Sequence, residues 1–312
     1  MYSVFEYILH CGATLIGNSM KVSLFTLRPR SAIHWPETMH LGMDREEGCL
    51  LEIDDLSKTF KGLHAVENYH LRLSPGEILG IIGPNGAGKS TVFNLLTGHL
   101  RPTRGSIRFR GQDITRLPPD RIAALGIGRT FQNIRLFASM TVLENVVSAR
   151  QLKERSGIIA TLLSWPSFHR TEQRLASEAT ENLGLFGLAD RAGKAATSLP
   201  YGDQRRLEIV RALALGPTLL LLDEPTAGMN NQESMFVLDL IRRIRDQYKL
   251  TIILVEHNMP LVMQLCERIQ VLNYGQIIAE GTPEQVRADP KVVESYLGRA
   301  MEDSKDAEAR NG

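Results

Sequence analysis

Residues 83 to 91 read Gly83-Pro84-Asn85-Gly86-Ala87-Gly88-Lys89-Ser90-Thr91, between an apolar run, Ile78-Leu79-Gly80-Ile81-Ile82, and a helix-like segment, Val92-Phe93-Asn94-Leu95-Leu96. Strand, glycine-rich loop and helix in that order form a phosphate cradle. Glycines let successive backbone N–H groups turn inward on phosphate oxygens without a Cβ in the way, and the helix N-terminus behind them adds a favourable dipole. The spacing G-x-x-x-x-G-K-S assigns Lys89 to the β- and γ-phosphates and the Ser90 hydroxyl to magnesium. The whole loop, Gly83 to Thr91, is therefore expected to hold the phosphates of a nucleotide.

Upstream of the loop, Leu50 to Ile53 alternates as a strand, and Gly62 to Leu73 supplies a turn and a second strand, His70-Leu71-Arg72-Leu73. Ser74-Pro75-Gly76-Glu77 is a turn. Downstream, Arg101-Pro102-Thr103-Arg104-Gly105 leads into a short strand, Ser106 to Arg110, closed by Gly111-Gln112, so an antiparallel edge feeds a parallel core. Between Ala138 and Ala214 the chain turns charged and helix-periodic, notably over Glu172 to Leu183. Core sequence resumes at Thr218 to Leu222, an apolar run suited to the middle of a parallel sheet. A helix from about Asn231 to Tyr248, a strand from Thr251 to Val255 and a helix from Met259 to Cys266 follow. A strand pair, Ile269 to Asn273 and Gln276 to Glu280, turns around Tyr274-Gly275, and helix-period sequence covers Pro283 to Leu297.

The fold class these elements define is α/β: a P-loop NTPase core with a mostly parallel sheet, an antiparallel β subdomain, and an inserted α-helical subdomain at about 138–214. The domain spans 49–298, and a charged tail, 299–312, follows it. Residues 1–48 are read as a poorly packed extension, with Met43 a candidate initiator just before the first strand. Met1 to Phe25 is mildly apolar, but it lacks a basic start, and His10, Cys11 and Asn18 interrupt it, which argues against a signal peptide.

Composition narrows the function classes. The 36 basic and 35 acidic residues leave a formal charge of +1, so the chain as a whole carries no electrostatic footprint for nucleic acid. Cys11, Cys49 and Cys266 are an odd number without C-x-x-C spacing, which argues against a disulfide framework or a zinc site and fits a reducing, cytosolic setting. Its densest apolar stretch, Leu219-Leu220-Leu221-Leu222, stops at Asp223 and Glu224, far short of a membrane span.

That stop is itself informative, because carboxylates just after a buried parallel strand emerge at the sheet edge where doubly wound folds bind ligands. Asp223 is positioned for the magnesium shell, and Glu224 to polarise a water for in-line attack on the γ-phosphate. His257 follows the next strand and emerges at the same edge, within reach of the γ-phosphate. Gln132, in Arg129-Thr130-Phe131-Gln132-Asn133, is a further candidate, and Phe60 offers a face for an adenine to stack on.

In order and spacing these features resemble the ATP-binding cassette family over about residues 50 to 298. The resemblance rests on Phe60, the loop at Gly83, Gln132, a signature-like Leu199-Pro200-Tyr201-Gly202-Asp203-Gln204, Asp223-Glu224 and His257. It implies ATP and Mg2+ as ligands, with Ser90, Gln132 and Asp223 around the metal and Lys89, Glu224 and His257 catalytic. It also implies a second cassette, identical or different, joined head to tail, so that Tyr201, Gly202 and Gln204 of one chain face ATP on the other. Gly128 to Asn133, the tyrosine at 201, Ala227-Gly228-Met229-Asn230, the helical stretch Gln151 to Arg174 and the ending Ser295-Tyr296-Leu297-Gly298 resemble the branched-chain amino-acid importer subfamily. The implied setting is the cytoplasmic face of the plasma (inner) membrane, with two transmembrane permease subunits and a solute-binding protein, and no nucleic acid. Cassettes for urea or short amides are closely similar, and a nucleotide-sensing ATPase without a transport role is a further alternative.

One residue departs from the pattern. Pro200 stands where the family has a serine whose hydroxyl reaches the γ-phosphate on the opposite chain, and proline supplies neither that hydroxyl nor an N–H. Proline at a helix start is well tolerated, so the departure is expected to weaken a site and not the fold.

Overall fold

The computed structural model of the protein describes residues 48–153 and 165–296. Nearly all of the 1–48 extension, Met43 included, lies outside the described residues, as do 154–164 within the Gln151–Arg174 stretch and the tail from 297.

A six-stranded sheet forms the core, in the order β10-β9-β3-β8-β7-β6. Its strands are β3 (Ile78–Ile82), β6 (Ile127–Arg129), β7 (Leu219–Asp223), β8 (Thr251–Val255), β9 (Arg268–Asn273) and β10 (Gln276–Gly281). All neighbours are parallel except β10, which closes one edge antiparallel to β9. The central strands β3, β7 and β8 are buried at every position because both faces are covered, and the period of two divides their side chains between two cores. Ile78, Ile82, Leu220, Leu222, Ile252 and Leu254 point to one face, while Leu79, Ile81, Leu219, Leu221, Ile253 and Val255 point to the other. Each leucine so buried contributes about 1.5–3 kcal/mol.

Helices α1 (Lys89–Leu96) and α2 (Pro119–Ala124) pack on the second face, while α3 (Val142–Lys153), α4 (Trp165–Leu185), α5 (Tyr201–Ala214), α6 (Asn231–Tyr248), α7 (Met259–Leu265) and α8 (Pro283–Ala288) cover the first. The helices α3, α4 and α5 pack on one another and make the expected helical insertion. Gly80 lets α7 lie close: a Cβ there would come 2.9 Å from Val262 Cγ1 and 3.0 Å from Cys266 Sγ. Asn230 starts α6 with a capping box, its side chain accepting from the Glu233 N–H while the Glu233 carboxylate accepts from the Asn230 N–H.

The second face carries a separate four-stranded antiparallel sheet, β2-β1-β4-β5, built from β1 (Leu51–Phe60), β2 (Leu63–Leu73), β4 (Arg104–Phe109) and β5 (Gln112–Asp113). Polar groups fasten it to the core. The buried Tyr69 hydroxyl donates to Gln270 Oε1 at 2.7 Å, Gln270 donates to the His70 carbonyl and to Glu280, and Arg268 donates to the Arg72 carbonyl and to Glu77.

Several elements differ from the sequence expectation. The first strand runs on from Ile53 to Phe60, because register shifts between Ile53 and Leu56 and a left-handed Asp55 (φ 49°) interrupt the alternation without ending the pairing. The second begins at Leu63, well before His70, and β6 is too short to show a period at all. Helix α8 stops at Ala288 because Asp289 precedes a proline and is extended (ψ 118°); helix resumes over 290–296. Among the described residues no helix is long and apolar enough to cross a membrane.

Replacing Tyr69 with Phe strands the buried Gln270 acceptor. The variant is expected to lose about 1–3 kcal/mol of unfolding free energy with an unchanged slope in urea denaturation.

Candidate active site

Parallel strands deliver their C-terminal ends to one edge, and β3, β6, β7 and β8 all release a loop there. The loop after β3 folds tightly, with the Ala87 N–H on the Pro84 carbonyl. Two of its glycines are irreplaceable on steric grounds. A Cβ on Gly83 (φ 148°) would fall 2.1 Å from the Leu272 carbonyl oxygen, and one on Gly88 (φ 106°) 2.5 Å from that of Ala65. Lys89 is buried and donates to the Gly83 and Pro84 carbonyls at 2.7 and 3.0 Å, curled around the loop it serves. Asn85, Gly86 and Ser90 are exposed at its mouth, and Thr91 is half-buried.

Asp223 ends β7 almost fully buried, and its backbone N–H donates to the Thr130 hydroxyl. Arg129, at the end of β6, donates to Asp223 Oδ2 at 3.1 Å. Burial pushes the Asp223 carboxyl above its ordinary range, against the pull of Arg129. Nothing in the local sequence around Arg129 marks it for this role.

Glu224 follows with φ 50°, a left-handed conformation unusual for a non-glycine residue, and its N–H donates to the Val255 carbonyl. The turn aims its carboxylate at two other candidates. His257 Nε2 donates to Oε1 at 2.5 Å, and the Gln132 amide donates to Oε2 at 3.3 Å. Residues from three separate loops thus meet on one carboxylate. Behind them the buried Glu256, which no sequence motif marks, accepts from the Thr226 N–H and hydroxyl and from the His257 N–H, stapling the loops after β7 and β8 together.

The signature segment lies elsewhere in the chain, at the start of α5. Pro200 is its N-cap, in extended conformation (ψ 153°). Tyr201 is 47% exposed, with its ring against Gly228, where a Cβ would meet Tyr201 Cε1 at 3.0 Å; Gly202 is half-buried. Gln204 donates back to the Leu199 carbonyl, and Asp203 pairs with Arg191 and Arg206. Further along α5, Arg205 donates to the carbonyls of Phe131 and Gln132 and to Glu208, whose other oxygen accepts from the Phe131 N–H. A buried ion pair therefore holds the Gln132 loop against α5. Phe60, at the end of β1, is 41% exposed with Lys58 over its ring at 5.0 Å, so one aromatic face stays open.

A glycine-rich loop between a buried strand and a helix, a lysine wound into it, and a carboxylate, histidine and glutamine converging at the same sheet edge have the architecture of a P-loop nucleotide hydrolase. The family model described as ABC transporter matches residues 66–227, and one described as branched-chain amino acid ATP-binding cassette transporter matches 276–302. The chain is 47% identical to the high-affinity branched-chain amino acid transport ATP-binding protein LivG of Escherichia coli K12, over 80% of its own length and 98% of that protein's. BraF of Pseudomonas aeruginosa, of the same description, is 43% identical, again over 80% of this chain and 98% of BraF. Among solved structures, an ATP-binding cassette of an ABC transporter in its ADP conformation superposes with a TM-score of 0.71 at 30% identity, covering 80% of this chain and 99% of the other. The chain belongs to the ATP-binding subunits of ABC transporters, and it is an ATPase.

Arg205 and Glu208 are both nearly inaccessible. Arg205→Met leaves Glu208 buried without its cation, and unfolding free energy is expected to fall by about 3–5 kcal/mol, much of it restored in Arg205→Met/Glu208→Leu. Burial already raises the Glu208 carboxyl, and removing Arg205 raises it further. A folded-state value above the unfolded one favours folding below the unfolded value and is lost as pH rises, so the single variant's deficit should be smaller at about pH 5 than at about pH 8 in urea titrations.

Proposed function

We propose that this chain is the ATP-hydrolysing subunit of an importer for branched-chain amino acids. The observation that carries the reading is the 47% identity to LivG over nearly all of that protein, together with the branched-chain cassette match at 276–302. Lipopolysaccharide export cassettes match the same share of the chain at lower identity, 34% for LptB of Haemophilus influenzae.

In this reading Gly83 to Thr91 wraps the phosphates, Lys89 neutralises the β- and γ-phosphoryl groups, and Phe60 stacks on the base. Ser90, Gln132 and Asp223 offer hydroxyl, amide and carboxylate oxygens, the hard donors magnesium takes alongside substrate phosphates. No group of three or more His, Cys, Asp or Glu among the described residues makes an all-protein metal site instead. The metal, when bound, neutralises charge that develops between the β- and γ-phosphates. Glu224 accepts the proton of the attacking water, and His257, already on Glu224 Oε1, holds it in line and reaches the γ-phosphate.

The partner that completes each site is a second cassette, identical or different, whose Tyr201, Gly202 and Gln204 approach the nucleotide from across the interface. A dimeric ATP-binding cassette bound to ADP and Pi supports that arrangement, with a TM-score of 0.65 at 26% identity over 75% of this chain and 98% of the other. The complex includes two membrane-spanning permease subunits and a solute-binding protein, and the cassette lies on the cytoplasmic face of the plasma membrane. Pro200 leaves the partner's γ-phosphate one hydroxyl short; the Ser198 hydroxyl, two residues upstream, donates to the Ala195 carbonyl.

The test is ATPase activity in vesicles holding the permease and cassette subunits. Turnover is expected to rise when a binding protein and a branched-chain amino acid are supplied, and to drop about a hundredfold or more in Glu224→Gln. Turnover that ignores the amino acid rejects the cargo, and turnover that survives Glu224→Gln rejects the site. In the same vesicles Pro200→Ser is expected to raise turnover, by about tenfold or more for one charge-assisted hydrogen bond; an unchanged rate counts against a weakened site.

A further inference from the structure

The sheet edge contains a cation for which nucleotide binding and hydrolysis, as read above, provide no work. Arg129 has its side chain 8% exposed, against 4% for Asp223, and places one terminal nitrogen 3.1 Å from Asp223 Oδ2. Its other terminal nitrogen donates to Asn94 Oδ1 at 2.8 Å and to Thr97 Oγ1 at 3.0 Å, on and just after α1. The rings of Phe93 and Phe131 approach the guanidinium carbon at 5.5 and 4.9 Å, and Nε is buried without a hydrogen-bond partner. The charge is thus fixed between the carboxylate and the helix that carries Lys89 and Ser90.

Two adjacent carboxylates, Asp223 and Glu224, would by themselves make an attractive seat for a free divalent cation. Glu224 is occupied by His257 and Gln132, and Asp223 by Arg129. Coulomb energy scales with the product of the charges, so a guanidinium this close repels a divalent ion twice as strongly as a monovalent one. Nucleotide phosphates bring several negative charges and reverse that balance, because magnesium is bound mainly through them and one or two carboxylates. We propose that Arg129 is a resident counter-cation, holding Asp223 while no nucleotide is bound, so that the divalent ion enters only together with phosphate. The inference rests on the reading of Asp223 as a magnesium-shell residue.

Electron paramagnetic resonance of free Mn2+, titrated with the full chain, tests it without turnover. Without nucleotide the wild-type chain is expected to take up no Mn2+ below the millimolar range, and with ADP to bind it. Arg129→Gln keeps an amide donor but no charge; it should bind Mn2+ without nucleotide roughly tenfold or more tightly than the wild type. Adding Asp223→Asn should abolish that gain, and Arg129→Lys, with its charge kept, should not show it. Thermal unfolding establishes that each variant is folded, and Arg129→Met serves where Arg129→Gln is not.

Tight Mn2+ binding by the nucleotide-free wild type, which requires no variant, overturns the inference. So does a folded neutral variant that binds no better than wild type. If Asp223→Asn leaves ADP-dependent Mn2+ binding intact, the underlying reading of Asp223 has failed, and the inference fails with it. If that binding is lost but the neutral variants gain nothing, the inference alone has failed.

Discussion

The hydrogen bond from the Glu224 N–H to the Val255 carbonyl, 2.8 Å long, is the joint on which the site turns. Strands β7 and β8 are paired residue for residue up to Asp223 opposite Val255, so both chains leave the sheet at the same level. Glu224 must then turn outward at once, and its left-handed backbone is the result. Such a conformation costs about 1–3 kcal/mol, and the buried strands on either side over-determine it. Because the turn is fixed, the carboxylate meets His257 from the neighbouring loop instead of projecting into water.

Charge at this edge is managed pair by pair. Asp223 has Arg129, Glu208 has Arg205, and Glu256 is satisfied by Thr226 and the His257 N–H. An unpaired carboxylate at such depth would be costly. The residue left with an open duty is Glu224, whose partners are half-exposed or exposed groups that can rearrange around a substrate. The other acids are locked and the one proposed to react is held by exposed groups, which fits the proposal that this site accepts a water and a phosphate.

What could be read from the sequence was whatever chemistry writes locally. The loop at Gly83 is legible because only glycine fits where a carbonyl stands 2.1 Å from the missing Cβ, and the leucines of β7 because burial on both faces removes the polar alternation. The cap at Asn230 and the span of α6 follow from neighbouring residues as well. Long-range pairing left no such mark. Arg129 finds Asp223 across 94 residues, Arg205 finds the Gln132 carbonyl across 73, and nothing in either local stretch names the other. The strand β6 escaped notice because three residues with a glycine in the middle show no period, and its place is set by β7 alone. Candidate site residues were found where backbone geometry demanded them, and the arginines that organise them were not.

Arg205 gives the helical insertion a mechanical bearing on the chemistry. Its guanidinium binds the backbone of Phe131 and Gln132, while the side chain of Gln132 reaches Glu224. The same helix, α5, begins with Tyr201 and Gly202, the residues read as facing a nucleotide on the second cassette. A shift of α5 relative to the sheet therefore has two outcomes. Either Gln132 travels with the helix and its 3.3 Å contact with Glu224 changes, or the buried bonds of Arg205 and Glu208 break. The pair itself lies within α5 and moves with it, so the bonds at stake are its three charge-assisted hydrogen bonds to the backbone of Phe131 and Gln132, each worth about 1.5–3 kcal/mol, whereas lengthening one exposed hydrogen bond costs at most about 1.5 kcal/mol. The first outcome wins by that margin, so movement at the signature end of α5 is felt at Glu224 before it is felt anywhere in the core.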